Sequence, residues 1–100
     1  MKLGILLTTS PENENTNTVI EISKAAREQG HDVSIFLMYD GVYNVNKKEF
    51  AELINKGVEI TICAFNAEQR RVAKVDGIFF GSQYDHACIA NSADRFISFG

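Results

Sequence analysis

The sequence predicts an α/β protein, a three-layer α/β/α sandwich around a five-stranded parallel sheet. Three observations carry that expectation. Short apolar, β-branched runs recur along the chain, stretches of helical periodicity separate them, and Gly or Asp-Gly marks the junctions. Strands alternating with helices imply right-handed crossovers, and these lay helices on both faces of a parallel sheet.

The elements follow in order. Lys2 to Thr8 reads as a buried strand. Ser10-Pro11 offers one place to cap and begin a helix, and Asn15 or Thr16 offers another a turn later. Val19, Ile22 and Ala26 fall at helical spacing, and Gly30 stops the helix as a left-handed C-cap would. Asp32 to Met38 is the second strand, broken by Tyr39-Asp40-Gly41. A short helix spans Lys47 to Asn55, with Phe50, Leu53 and Ile54 inward and Gly57 as its stop. Glu59 to Cys63 is the third strand. Asn66 with Gln69 resembles a capping box that opens a helix through Val75. Asp76-Gly77 turns into a fourth strand, Ile78 to Gly81, and a helix from Tyr84 to Ser92 leads to a last strand, Arg95 to Phe99. No linker, repeat or low-complexity stretch intervenes, so residues 1–100 are expected to form one domain.

Composition excludes several functions. Ten basic and 13 acidic side chains leave a net charge of −3, without the basic patch that phosphate-backbone binding requires. No apolar run is long enough to cross a bilayer, and the opening Met-Lys-Leu-Gly-Ile-Leu-Leu stops too early for a signal peptide. The expectation is a cytoplasmic protein that binds neither nucleic acid nor membrane. Two cysteines are too few for a disulfide framework, and no Cys-x-x-Cys or His/Cys cluster offers a metal site. The loop Thr8 to Thr16 lies where flavodoxin-type folds hold a phosphate, yet it has no Gly and two Glu, and the chain has no Trp to stack on a flavin. No cofactor is expected.

Chemistry gathers beyond the carboxyl ends of such strands. Cys63 sits there, at the end of the third strand and just ahead of the helix at Asn66. Helix N–H groups and the helix dipole favour a nearby thiolate, and Arg70 and Arg71 add positive charge to that helix. A buried small hydrophobe is the competing reading, since free Cys is among the most buried residue types. Cys88, mid-helix between Ala87 and Ile89, is expected to be a packed core thiol. His86 lies on another face of that helix from Cys88 but starts from the same sheet edge, within reach of Cys63. His31 reads as a solvated loop residue at the opposite edge. Tyr39, Val42, Tyr43 and Val45 put apolar bulk into a loop, which implies either a surface covered by another subunit or a cluster tucked over the domain's own edge.

The order of these pieces resembles the DsrE/TusD-like (DsrE/DsrF-like) family of sulfur-relay proteins over nearly the whole chain. The resemblance rests on the opening strand with its Thr-rich loop, Gly30-His31-Asp32-Val33, Asp40-Gly41-Val42, Gly57-Val58-Glu59-Ile60-Thr61-Ile62-Cys63, Gly77-Ile78 and Ala93-Asp94-Arg95. It implies a five-stranded parallel sheet and oligomers, commonly homo-trimers or hexamers, or hetero-oligomers with paralogues. It also implies a cysteine after the third strand, here Cys63, that takes sulfur as a persulfide from a donor protein and passes it to an acceptor. In that role Asn66, Arg70 and His86 would support Cys63. Members often follow this cysteine with small residues and an Arg-Gly pair; this chain has Ala64-Phe65-Asn66, and Arg70-Arg71 without glycine. The family also contains subunits without transfer activity, so the alternative is a non-catalytic oligomeric subunit or a ligand- or partner-binding module.

Overall fold

The computed structural model describes all 100 residues. Five parallel strands, β1 (Lys2–Leu7), β2 (Asp32–Leu37), β3 (Glu59–Cys63), β4 (Phe79–Gly81) and β5 (Arg95–Phe99), lie in the order β4-β3-β2-β1-β5. Four α-helices connect them: α1 (Asn15–Glu28), α2 (Lys48–Ala51), α3 (Ala64–Gln69) and α4 (Gln83–Ser92). Short 3-10 segments at Tyr39–Asn46 and Glu52–Lys56 flank α2. No helix is long and apolar enough to cross a membrane.

The strand order dictates the layers. The chain steps outward from β1 through β2 and β3 to β4, and right-handed crossovers lay α1, α2 and α3 on one face. It then returns from β4 past three strands to β5, beside β1, so the reversed direction puts α4 alone on the other face. The first side is thick: Ile5, Leu7, Ile35, Leu37, Ile60 and Ile62 pack against Val19, Phe50 and Leu53. The second is thin, a cluster of Phe36, Cys63 and Ile89 with Leu6, Met38 and Phe96 against it. Alternation along β3 divides Ile60 and Ile62 from Cys63 in this way. Gly4 is where α4 approaches the sheet; a Cβ there would stand 2.7 Å from the Phe96 ring and 3.2 Å from Ile89.

All three thick-side helical segments close with the same hydrogen-bond pair. His31 N–H donates to Ala26 and Gly30 N–H to Arg27; Val58 donates to Leu53 and Gly57 to Ile54; Val72 donates to Ala67 and Arg71 to Glu68. This pattern needs a left-handed residue just past the helix. Gly30 (φ 82) and Gly57 (φ 88) supply it as expected, whereas Arg71 (φ 57) supplies it for α3. The third helix therefore runs from Ala64 to Gln69, and not from Asn66 through Val75. Other boundaries agree with the sequence within a residue, except that the expected helix over 47–55 is split between α2 and a 3-10 segment.

The apolar loop after β2 divides in two. Val42 and Val45 tuck into the domain's own core, while Tyr39 and Tyr43 face outward. Between the valines Asn44 is wholly buried, donating to the carbonyls of Thr9 (3.0 Å) and Gly41 (2.9 Å) and accepting from the Thr16 hydroxyl. This strut ties the segment after β2 to the loop after β1.

Candidate functional site

Strands β3 and β4 are adjacent, yet their following helices part: α3 turns to the thick side and α4 to the thin side. Divergence of neighbouring connections opens a crevice at the carboxyl edge, the usual ligand position in open α/β sheets. A cleft of about 670 Å³ lies there. Cys63 and Gly81, directly paired across the two strands, form its floor. Met38 and Tyr39 enter from the end of β2, Ala64, Phe65 and Asn66 from the start of α3, and Ser82 and Gln83 from the start of α4.

Cys63 is the N-cap of α3, in extended conformation (φ −66, ψ 110), and its Sγ accepts the Asn66 N–H at 3.5 Å. A sulfur here fills the place that a Ser or Asp oxygen takes at most helix starts. The residue is 5% exposed, so the thiol is recessed at the base of the cleft. Neighbouring Asn66 is not the cap that its spacing to Gln69 suggested. Its side chain accepts the Tyr39 N–H (2.7 Å) and donates to Gln69 Oε1 (3.3 Å). Tyr39 sits at φ 52, a left-handed conformation that costs about 1–2 kcal/mol outside glycine, and the Asn66 amide holds it there.

Two expected supporting residues lie elsewhere. Arg70 faces Asp40 (Nε to Oδ1, 2.9 Å) and the Asn66 carbonyl (3.4 Å), and it does not line the cleft. His86 does not bond the sulfur; its ring stacks on Phe36 at 5.0 Å, and Nδ1 pairs with Gln83 Oε1 at 3.0 Å. Through Gln83, whose amide contacts Met38 Sδ at 3.8 Å, it braces the thin-side rim. The start of α4 carries a complete capping box: Ser82 Oγ accepts Tyr84 N–H (3.2 Å), and Asp85 Oδ2 accepts Ser82 N–H (2.8 Å).

Cys88 is exposed, not packed. Of α4 only Ile89 is buried, so Ala87 and Ala90, read as packing neighbours, face solvent. Cys88 lies beside Tyr84, and its hydrogen bond and charge push the phenol above its ordinary pKa. His31 is half-buried and pairs with the N-terminal amine (3.3 Å). In the loop after β1, a hydrogen bond from the Ser10 side chain, helped by Glu12's own backbone, holds the Glu12 carboxyl below the usual range. No group of three or more His, Cys, Asp or Glu side chains is arranged to hold a metal.

The sequence places Tyr39, Cys63 to Asn66 and Gly81 to Asp85 at the carboxyl ends of the strands, which takes in every residue of the cleft lining except Met38, but it does not show that these three segments meet in one cleft. The missing signal was the strand order, which makes β3 and β4 neighbours with divergent helices. The DsrE/DsrF-like family model matches residues 1–99. The chain belongs to the DsrE/DsrF-like family. The fold agrees with the crystal structure of the YchN protein from E. coli, at a TM-score of 0.88 and 23% identity, covering 99% of each chain. It also agrees with BT1422, a conserved protein of unknown function from Bacteroides thetaiotaomicron, at a TM-score of 0.81 and 20% identity, covering 98% of this chain and 94% of that one. No curated protein matches the chain.

Proposed function

We propose that this DsrE/DsrF-like protein is a small sulfur carrier, taking sulfur as a persulfide on Cys63 and passing it to a partner protein. One observation supports the reading above others: the Cys63 sulfur lies at the base of the switch-point cleft with a backbone N–H directed at it. The Asn66 N–H fixes the position of Cys63 Sγ, and a cysteine sulfur held in a cleft is the group that attacks sulfane sulfur in such transfers. The test is incubation with a persulfide donor followed by mass spectrometry. Cys63 gains one sulfur atom, reductant removes it, and Cys88→Ser leaves the gain intact. A Cys63→Ser protein that loads as well as the parent refutes the proposal.

A second reading, a non-catalytic subunit or binding module that uses the same edge, draws on the low exposure of Cys63. It predicts that even a small alkylating reagent leaves Cys63 unmodified in the folded protein. Under either reading we propose assembly with identical or paralogous chains. The thin side leaves Phe79 (60% exposed) and Tyr84 (75% exposed) uncovered, the composition of a surface that another subunit covers. Sedimentation equilibrium of the parent and of Phe79→Asp tests this; a monomer at all concentrations excludes it.

A further inference from the structure

We infer that Tyr39 is the substrate-contacting, specificity-determining residue of the Cys63 cleft, and that Asn66 is the positioning residue that holds it in place. The inference rests on the sulfur-carrier reading and gives two residues of that site their roles.

Two non-glycine residues have a positive φ, Arg71 (57) and Tyr39 (52). Arg71 closes α3, and its conformation belongs to that helix end. Tyr39 ends no helix; it stands just beyond β2, in a tight turn where Gly41 N–H donates to the Met38 carbonyl at 3.0 Å. The turn is forced, since the chain passes so close to β1 that a Cβ on Gly41 would overlap the Leu7 carbonyl. At the second position of such a turn, Gly, Asn or Asp supplies the positive φ with least strain. The turn therefore explains the conformation of residue 39 but not the tyrosine.

The core does not explain it either. The Tyr39 side chain is 55% exposed and belongs to neither apolar cluster. A bulky residue kept in a strained conformation, yet left half in solvent, is the mark of a functional position. What its place offers is the cleft, which it lines together with Cys63.

Asn66 couples the ring to the thiol. Its backbone N–H is directed at Cys63 Sγ (3.5 Å), and its side-chain carbonyl accepts the Tyr39 N–H (2.7 Å). Gln69 fixes the other end of the amide (3.3 Å), and Arg70 bridges the Asn66 carbonyl to Asp40, next to Tyr39 in the chain. At 7% exposure Asn66 leaves little room for water to compete at this junction. One residue thus sets both the sulfur and the rim, so a guest in the cleft meets them in a fixed relation.

The experiment follows loading of Cys63 in the whole protein against the concentration of glutathione persulfide. The Cys63 thiolate attacks the outer sulfur, glutathione leaves as its thiolate, and the proton stays on the transferred sulfur to give Cys63–S–SH, with no oxidant consumed. Tyr39→Gly is expected to keep or raise the Tm, because the strain is relieved. Its half-saturating persulfide concentration rises at least about tenfold, the low end of what covering an aromatic side chain is worth, with the maximal rate unchanged. Asn66→Ala raises that concentration in the parent but adds nothing in Tyr39→Gly, because it acts through the ring. Parent-like loading by Tyr39→Gly, a fall in its Tm, or a change in its oligomeric state by sedimentation overturns the inference for Tyr39. Full additivity of the two substitutions overturns it for Asn66. Each of these leaves the sulfur-carrier reading standing, whereas a parent protein that takes up no sulfur overturns both.

Discussion

Asn44→Ala tests whether the segment supporting the cleft rim is held by a polar strut or by its valines. Asn44 is 0% exposed and makes three hydrogen bonds, from the Thr16 hydroxyl and to the carbonyls of Thr9 and Gly41. Truncation leaves the Thr16 hydroxyl and the Gly41 carbonyl dry, whereas the half-buried Thr9 can recruit water. Two dry groups at about 1–3 kcal/mol each, in a site that cannot fully collapse, give an expected loss of about 3 kcal/mol. For a chain of this size that is a fall in Tm of about 12–24 °C. Urea unfolding of Asn44→Ala, Thr16→Val and the double variant reads it directly. The single variants should be non-additive by about 1–2 kcal/mol, because they share one bond. A loss below about 1 kcal/mol for Asn44→Ala, or full additivity with Thr16→Val, refutes the strut.

Three further outcomes follow from the geometry. In Gly81→Ala the new methyl stands 2.9 Å from Asp85 Cγ and from the Phe79 ring, so the capping box of α4 opens. A loss of about 1–2 kcal/mol in urea unfolding is expected, with slower sulfur loading at the facing Cys63. Arg71→Gly relieves the left-handed residue that closes α3; set against glycine's extra chain entropy, this stabilises by up to about 1 kcal/mol, measured by thermal unfolding. Tyr84 should ionise above the usual phenol value of about 10 in an ultraviolet titration, and Cys88→Ala should return it toward that value. The folded chain holds this proton more tightly than the unfolded one. Its contribution to stability is therefore complete below the ordinary pKa and is lost as pH rises through the raised one.

What the sequence disclosed depended on whether a local signal existed. Gly30 and Gly57 announced two helix ends because glycine is the residue that accepts a positive φ, but α3 ends the same way on Arg71, which carries no such mark. Its first turn was equally hidden, since a cysteine stands where a Ser or Asp cap would have been read. The position of Cys63 at a carboxyl edge was legible from strand counting. That its side chain turns to the thin side, and that Arg70 and His86 find partners elsewhere, depended on contacts between distant segments. Cys88 misled because small neighbours suit both a tight helix contact and a bare surface. Only the topology, which leaves α4 alone on its face, decides between them.

The divergence of β3 and β4 separates what must stay fixed from what can vary. The thiol belongs to a strand and is anchored by the sheet, while Tyr39, Phe65, Ser82 and Gln83 project from three separate connections and are exposed. Substitutions at those four positions leave the two apolar clusters untouched. A gene duplicate could therefore acquire a new partner by changing a few surface side chains, with no compensating change in the core. On this fold, evolvability resides in the rim.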